Sequence, residues 1–213
     1  MGGLIGAELA VPLQPGLGGG NPVPTGGTVI LPVGVAGNLQ LNFEPKSVFV
    51  YIGLNATVTF DNVDSALHTV TATDHSFDSG DMAPGDKWTH TFTTVGNYSY
   101  YCAYHAAWMK GNVVVKELAG SGLAVVKIPP DTGADTSLNF APSNLNLVAG
   151  VNNTVVFLNE DSAKRTVTSA AAGFDSGDIL PGRTWEHTFA TGSYSYSCVY
   201  HTYMTGAISV SQD

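Results

Sequence analysis

Cys102, His105 and Met109 lie within eight positions of one another in "YYCAYHAAWMKG", residues 100–111. A thiolate, an imidazole and a thioether are soft to borderline donors, the set that holds a transition metal better than a hard cation. The chain has two cysteines, and the second repeats the pattern: "YSCVYHTYMTG" carries Cys198, His201 and Met204. Two readings are open at this point. Small buried residues recur by common packing, since a free cysteine is often a core residue, or each run is half of a metal site.

The elements that must position these residues can be read from the flanking pattern. Cys102 ends the run "YSYY", in which alternate residues are aromatic, the period of a half-buried strand. His105 and Met109 then fall on the loop that follows, so one turn would deliver three donors. "ATVTF" (56–60) and "WTHTF" (88–92) alternate in the same way, and Asp-Ser-Gly-Asp and Pro-Gly supply turns between such runs. No window shows helical amphipathicity beyond about a turn.

The chain also repeats itself at a spacing of about 97 residues. "LNFEP" (41–45) returns as "LNFAP" (138–142), "FDSGDMAPG" (77–85) as "FDSGDILPG" (174–182), and "GNYSYYCAYH" as "GSYSYSCVYH". We therefore expect two homologous all-β domains, 28–117 and 124–213, joined by a linker at 118–123 and preceded by a flexible arm over 1–27. Each is expected to hold seven or eight short strands in a Greek-key sandwich or barrel. The halves differ at one telling place: "DSALHTVTA" carries His68, and "DSAKRTVTS" has Arg165 in its stead.

Bulk properties exclude several classes. A net charge of −9 and a pI near 4.8 argue against nucleic acid as a partner. No stretch reaches the roughly 18 apolar residues of a membrane-spanning helix. The first 27 residues lack Lys and Arg and read as an arm or the remnant of a processed N-terminus rather than an intact signal peptide. Three Asn-x-Ser/Thr triplets, at Asn55, Asn97 and Asn152, are weak pointers to export.

"HTVT", "G-x-Y-x-Y-x-C" and "C-x-Y-H-x-x-x-M-x-G" together resemble the cupredoxins, the type 1 or blue copper proteins, including the two-domain kind of ammonia-oxidising archaea. The resemblance spans both repeats, and the Cys–His–Met loop of the second is similar to that of amicyanin-type members. It implies two tandem cupredoxin β-sandwiches and one type 1 copper ion per chain. The implied ligands are His68, Cys102 and His105, with Met109 as a weak axial donor. Donor chemistry agrees, because a thiolate and two imidazoles with a distant thioether suit copper in both oxidation states. Cys/His/His/Met is a poor zinc set. A Cys102–Cys198 disulfide would need equivalent loops of two domains to meet within about 7 Å, and C-x-x-C-H, the haem attachment motif, is absent.

The second repeat keeps Cys198, His201 and Met204, but Arg165 stays protonated and cannot donate to a metal. We read it as a degenerate, empty site. Arg165→His is expected to rebuild it, provided the loop keeps the family geometry. His90 and His187 are expected to be packed, His75 to lie in a surface loop, and Trp88 and Trp185 to belong to the core.

What the resemblance implies for function is one-electron transfer, with His105 as the exit and an apolar docking patch of Ala106, Ala107, Trp108, Met82, Ala83 and Pro84. The acidic surface favours a basic redox partner. The competing class is a copper enzyme acting on nitric oxide or nitrite at an open site. The loop "HAAWM" is one residue longer than "HTYM", and the addition either leaves Met109 axial or pushes its thioether away, so we expect a more accessible copper than in a dedicated carrier. The His-Cys-His wire of multicopper enzymes is missing, since Tyr101 and Ala103 flank Cys102. Two-domain relatives include trimers, so a homotrimer fits the resemblance, as does an exported, extracytoplasmic location.

Overall fold

A computed structural model describes residues 25–212, and they fold into two β-sandwich halves. The first half contains β1 (Thr25–Leu31), β2 (Ser47–Ile52), β3 (Thr57–Asn62), β4 (Thr71–Ala72), β5 (Lys87–Thr91), β6 (Gly96–Tyr101) and β7 (Lys110–Glu117). The second contains β8 (Ala124–Ile128), β9 (Asn144–Val148), β10 (Thr154–Asn159), β11 (Thr168–Ser169), β12 (Phe174–Asp175), β13 (Thr184–Thr188), β14 (Gly192–Cys198) and β15 (His201–Ser211). The first strand begins at Thr25, inside the segment expected to be an arm; residues 1–24 of that segment lie outside the described residues.

Each half has two sheets. In the first they run β1-β3-β5 and β2-β7-β6-β4, and in the second β13-β10-β8 and β12-β11-β14-β15-β9. The pairings are mixed. β1 lies parallel to β3 and β2 parallel to β7, so the chain crosses between sheets at each step, whereas β6 and β7 are antiparallel. β8–β10 and β9–β15 reproduce the parallel pairs in the second half.

The expected alternation decides which side chains enter each core. Along β3, Val58, Phe60 and Asn62 point inward while the residues between them are only half-buried. Tyr100 meets Phe43 edge-on at 4.9 Å and Phe60 at 5.3 Å, and Tyr196 meets Phe140 and Phe157 likewise at 4.9 and 5.5 Å. Burying each such side chain contributes about 1.5–3 kcal/mol. The glycine two residues after each loop methionine has a steric origin: a β-carbon at Gly111 would lie 2.5 Å from the Tyr100 ring, and one at Gly206 would lie 2.2 Å from Tyr196. Trp88 and Trp185 border the cores rather than sit fully within them.

The halves touch through side chains most of which the repeat does not share; Asn55, whose counterpart is Asn152, is the exception. Glu186 accepts from Lys116 Nζ at 2.7 Å and from the Tyr51 hydroxyl, Asn55 Nδ2 donates to the Gly182 carbonyl at 3.3 Å, and Arg183 donates to the Thr28 carbonyl.

Candidate metal centre

The site is assembled where β6 ends. Tyr98, Tyr100 and Cys102 share the inward face of that strand, so its alternation carries the thiol into the core, where it is fully buried. A single 3-10 turn, Ala103–His105, then reverses the chain; the His105 N–H donates to the Cys102 carbonyl at 3.0 Å. The extra loop residue is taken up by a further turn. The N–H groups of Trp108 and Met109 both donate to the His105 carbonyl, at 3.2 and 3.0 Å, and the Cys102 N–H donates back to the Met109 carbonyl at 3.1 Å. Met109 is thereby drawn into the core with no solvent exposure.

His68 arrives from a distant part of the chain. It does not open a strand. It sits in an isolated bridge with Met82, exchanging main-chain bonds of 3.1 and 2.8 Å, three residues before β4. Its Nδ1 lies 3.5 Å from Cys102 Sγ, and His105 Nδ1 lies at the same distance from that sulfur. One donor atom from each of the three residues falls within 4.8 Å of the others, the one such grouping of His, Cys, Asp and Glu among the described residues. His68 is fully buried while His105 is half-buried, with its ring 5.1 Å from Trp108.

Two buried polar residues outside the ligand motif organise this corner. Asp64 Oδ2 lies 3.0 Å from His68 Nε2, and the same carboxylate accepts from the N–H groups of Gly34 and Ala36 at 2.8 and 3.2 Å. Asn62 donates from Nδ2 to the carbonyls of Ala66 and Met82 at 2.9 and 2.8 Å and accepts from the Asp64 N–H at 3.1 Å. It thus pins both flanks of the His68 bridge. Their signal is present in the sequence as an Asn-x-Asp-Ser motif in both repeats, "NVDS" at 62–65 and "NEDS" at 159–162.

Electrostatics hold the thiol and the Asp64 carboxyl ionised in this corner. Burial alone would raise the Cys102 thiol, but bonds from His68, the Thr69 N–H, His105 and the Tyr104 N–H outweigh it and hold the thiol down to about 6. Burial would lower His68, yet its bonds to Cys102 and Asp64 prevail and raise it. Asp64 is also disfavoured by burial, and three N–H donors together with His68 pull it down to about 2. In the metal-free protein the thiolate's ultraviolet absorbance should therefore vanish as pH falls through about 6. Any transition metal held by these donors should bind more weakly over the same range, because protons compete for them. A thiol titrating near its ordinary value of 9.0 would contradict this arrangement.

Met82 is 2% exposed and belongs to the core, because its bridge to His68 turns it inward; it drops out of the apolar docking patch. Ala83, Pro84, Ala106 and Ala107 are exposed, and Trp108 is half-buried with its Nε1 donating to the Val35 carbonyl at 3.3 Å. His90 stacks on Trp88 and meets Phe77 at 4.7 Å, His187 stacks on Trp185, and His75 is an exposed turn residue. Both cysteines are free. In the second half Cys198 and Met204 are fully buried, but His201 begins β15 instead of riding a 3-10 turn, and no group of three His, Cys, Asp or Glu donors forms around them among the described residues.

Residues 37–115 match the family model described as the cupredoxin-like domain. No curated protein matches the chain. Among solved structures, the chain is similar to a novel purple cupredoxin from Nitrosopumilus maritimus at 29% identity, over 42% of this chain and 99% of that one, with a TM-score of 0.39. It is also similar to the Cu(I) form of a methionine-to-alanine variant of amicyanin (28% identity, 42% of this chain, 80% of that one, TM-score 0.35). A reduced tryptophan-to-tyrosine variant of amicyanin matches at 26% identity with the same coverages and a TM-score of 0.35.

Proposed function

Starting from a first half that carries a cupredoxin-like domain, we propose that this protein binds one copper ion per chain at His68, Cys102 and His105, with Met109 as a weak fourth donor, and passes single electrons through it. The observation that supports this most is the meeting of one thiol with two imidazole Nδ1 atoms, each 3.5 Å from the sulfur, in a corner where Cys102 and His68 have no solvent exposure. The donor types suit the ion. Copper supplies the one-electron couple between its +1 and +2 states.

The chain's own part is to hold the donors and to provide a way out. Asp64 accepts a hydrogen bond from the Nε2–H of His68, which keeps the proton on that nitrogen, leaves Nδ1 free to donate to a metal and fixes the ring. Cys102 and His68 are each anchored by main-chain bonds to neighbouring segments, so the donor spacing is set by the sandwich rather than by the metal. Of the three ligands only His105 reaches the surface, beside the exposed Ala106 and Ala107. A partner docking there would receive the electron through the imidazole edge, in the small, transient contact usual for such encounters. With a net charge of −9 the chain attracts a basic redox protein, and the exchange rate should fall with added salt.

Oxidoreductase chemistry on nitrite or nitric oxide gains no support, since His68, Cys102 and Met109 are all without solvent exposure. An exported location accompanies the carrier reading; no helix among the described residues is long and apolar enough to cross a membrane. The test is the visible and electron paramagnetic resonance spectrum of the copper-loaded protein, with metal counted per chain. One intensely coloured copper is expected, with a spectrum unmoved by azide, nitrite or nitric oxide. Two equally coloured coppers, or a prompt saturable shift with nitrite, would overturn the assignment.

A further inference from the structure

The second half has its own version of the same corner, and a side chain fills it. Arg165 exchanges main-chain bonds with Ile179 at 3.0 and 2.7 Å, as His68 does with Met82. Its guanidinium is 4% exposed, and all three nitrogens have partners. Nη2 donates to Asp161 Oδ2 at 2.6 Å, Nε to Thr132 Oγ1 at 3.4 Å, and Nη1 to the Lys164 carbonyl at 2.8 Å. The Thr132 hydroxyl in turn donates to the same Asp161 oxygen at 2.6 Å.

Two further differences between the repeats fit only this arrangement. Thr132 stands where the first half has Val35, which could neither accept from the guanidinium nor donate to the carboxylate. Gly133 stands where the first half has Ala36, and a β-carbon at 133 would lie 2.3 Å from Arg165 Nη2. That same β-carbon would be 3.5 Å from His201 Cε1, so the guanidinium reaches the imidazole end of the corner, where His68 meets His105 in the first half. His201 Nδ1 is buried there without a hydrogen-bond partner. A site that had simply lost a ligand would leave positions 132 and 133 under no such constraint.

We propose that the second half is locked by a resident cation of its own: the Arg165 guanidinium takes the place of a metal ion, and Thr132 and Gly133 are co-adapted to seat it. The half then needs no metal and admits none. This goes beyond the copper reading of the first half and rests on it only for the comparison of the two corners. It also replaces the expectation that Arg165→His rebuilds a site, because that required His201 to keep the turn geometry of His105, and His201 starts an 11-residue strand instead.

The test is thermal melting of the full chain without copper, followed by copper titration. Gly133→Ala and Thr132→Val should each lower the midpoint of the second half's transition by roughly 3 °C or more. In an Arg165→His background Gly133→Ala should cost less than a third of that, since the side chain it collides with is gone. An equal loss in both backgrounds, or no loss from either single change, would overturn the lock. Should Arg165→His not fold, the two single variants still decide. Copper titrated into full-length Cys102→Ser, and into Cys102→Ser with Arg165→His, should give no thiolate colour. Colour at one copper per chain in either protein would show a site missing only a ligand, and the proposal would fail. The melting arm contains no copper, so a failure of the copper assignment in the first half leaves it standing.

Discussion

Cys102→Ser is expected to abolish the intense visible absorption of the copper-loaded protein and its reversible one-electron reduction. The thiolate is the one soft anionic donor in the group formed with His68 and His105, and charge transfer from sulfur to copper is what would give the colour. A serine hydroxyl is a hard donor that does not ionise at neutral pH, so the remaining imidazoles would hold copper weakly and without that absorption. The substitution is nearly isosteric, and the Thr69 N–H that now donates to the sulfur at 3.4 Å could still find the hydroxyl, so the fold should survive. Cys198→Ser is the control. Cys198 is equally buried but lies in the second half, outside the donor group of Cys102, and its loss should leave the spectrum essentially unchanged. Colour retained in Cys102→Ser and lost in Cys198→Ser would put the chromophore in the second half.

Asn62→Ala should be the most damaging change outside the ligands. The side chain is fully buried and makes three hydrogen bonds, two from Nδ2 and one to Oδ1. Alanine would strand the Ala66 carbonyl and the Asp64 N–H, each at about 1–3 kcal/mol when unpaired and buried, and would leave the Met82 carbonyl with the His68 N–H alone. A loss on the order of 3 kcal/mol or more from the stability of the first half is expected, and it should appear as a lower denaturation midpoint. The proposed copper site should suffer with it, because Asn62 holds both Asp64, which orients His68, and the Met82 segment that His68 pairs with. Asn159 repeats the arrangement, bonding the carbonyls of Ala163 and Ile179 at 2.8 and 2.7 Å and the Asp161 N–H at 3.0 Å. Asn159→Ala should therefore destabilise the second half to a similar degree while copper colour stays intact. An Asn62→Ala protein with an unchanged midpoint and full copper affinity would show that the loop is held some other way.

What the sequence by itself determined was whatever is local. Alternation placed Val58, Phe60, Tyr100 and Cys102 on inward faces, because side chains along a strand change face at every residue whatever lies opposite. The spacing from Cys102 to His105 brought thiol and imidazole onto one turn, and the repeat announced two sandwiches of like design. The tertiary structure decided everything that depends on which distant segment closes over a given face. Asp64 gains its role only because the 34–36 loop donates to it and His68 turns its Nε2 toward it. Met82 looks like a surface residue beside Pro84 until its bridge to His68 folds it inward. Arg165 is the clearest case. Its identity says that no metal ligand stands there, yet only the packing of residues 129–137 across it shows that Thr132 supplies a hydroxyl and Gly133 an empty space. Burial and hydrogen-bond partnership are set by segments some thirty residues apart, and no local period in the chain encodes them.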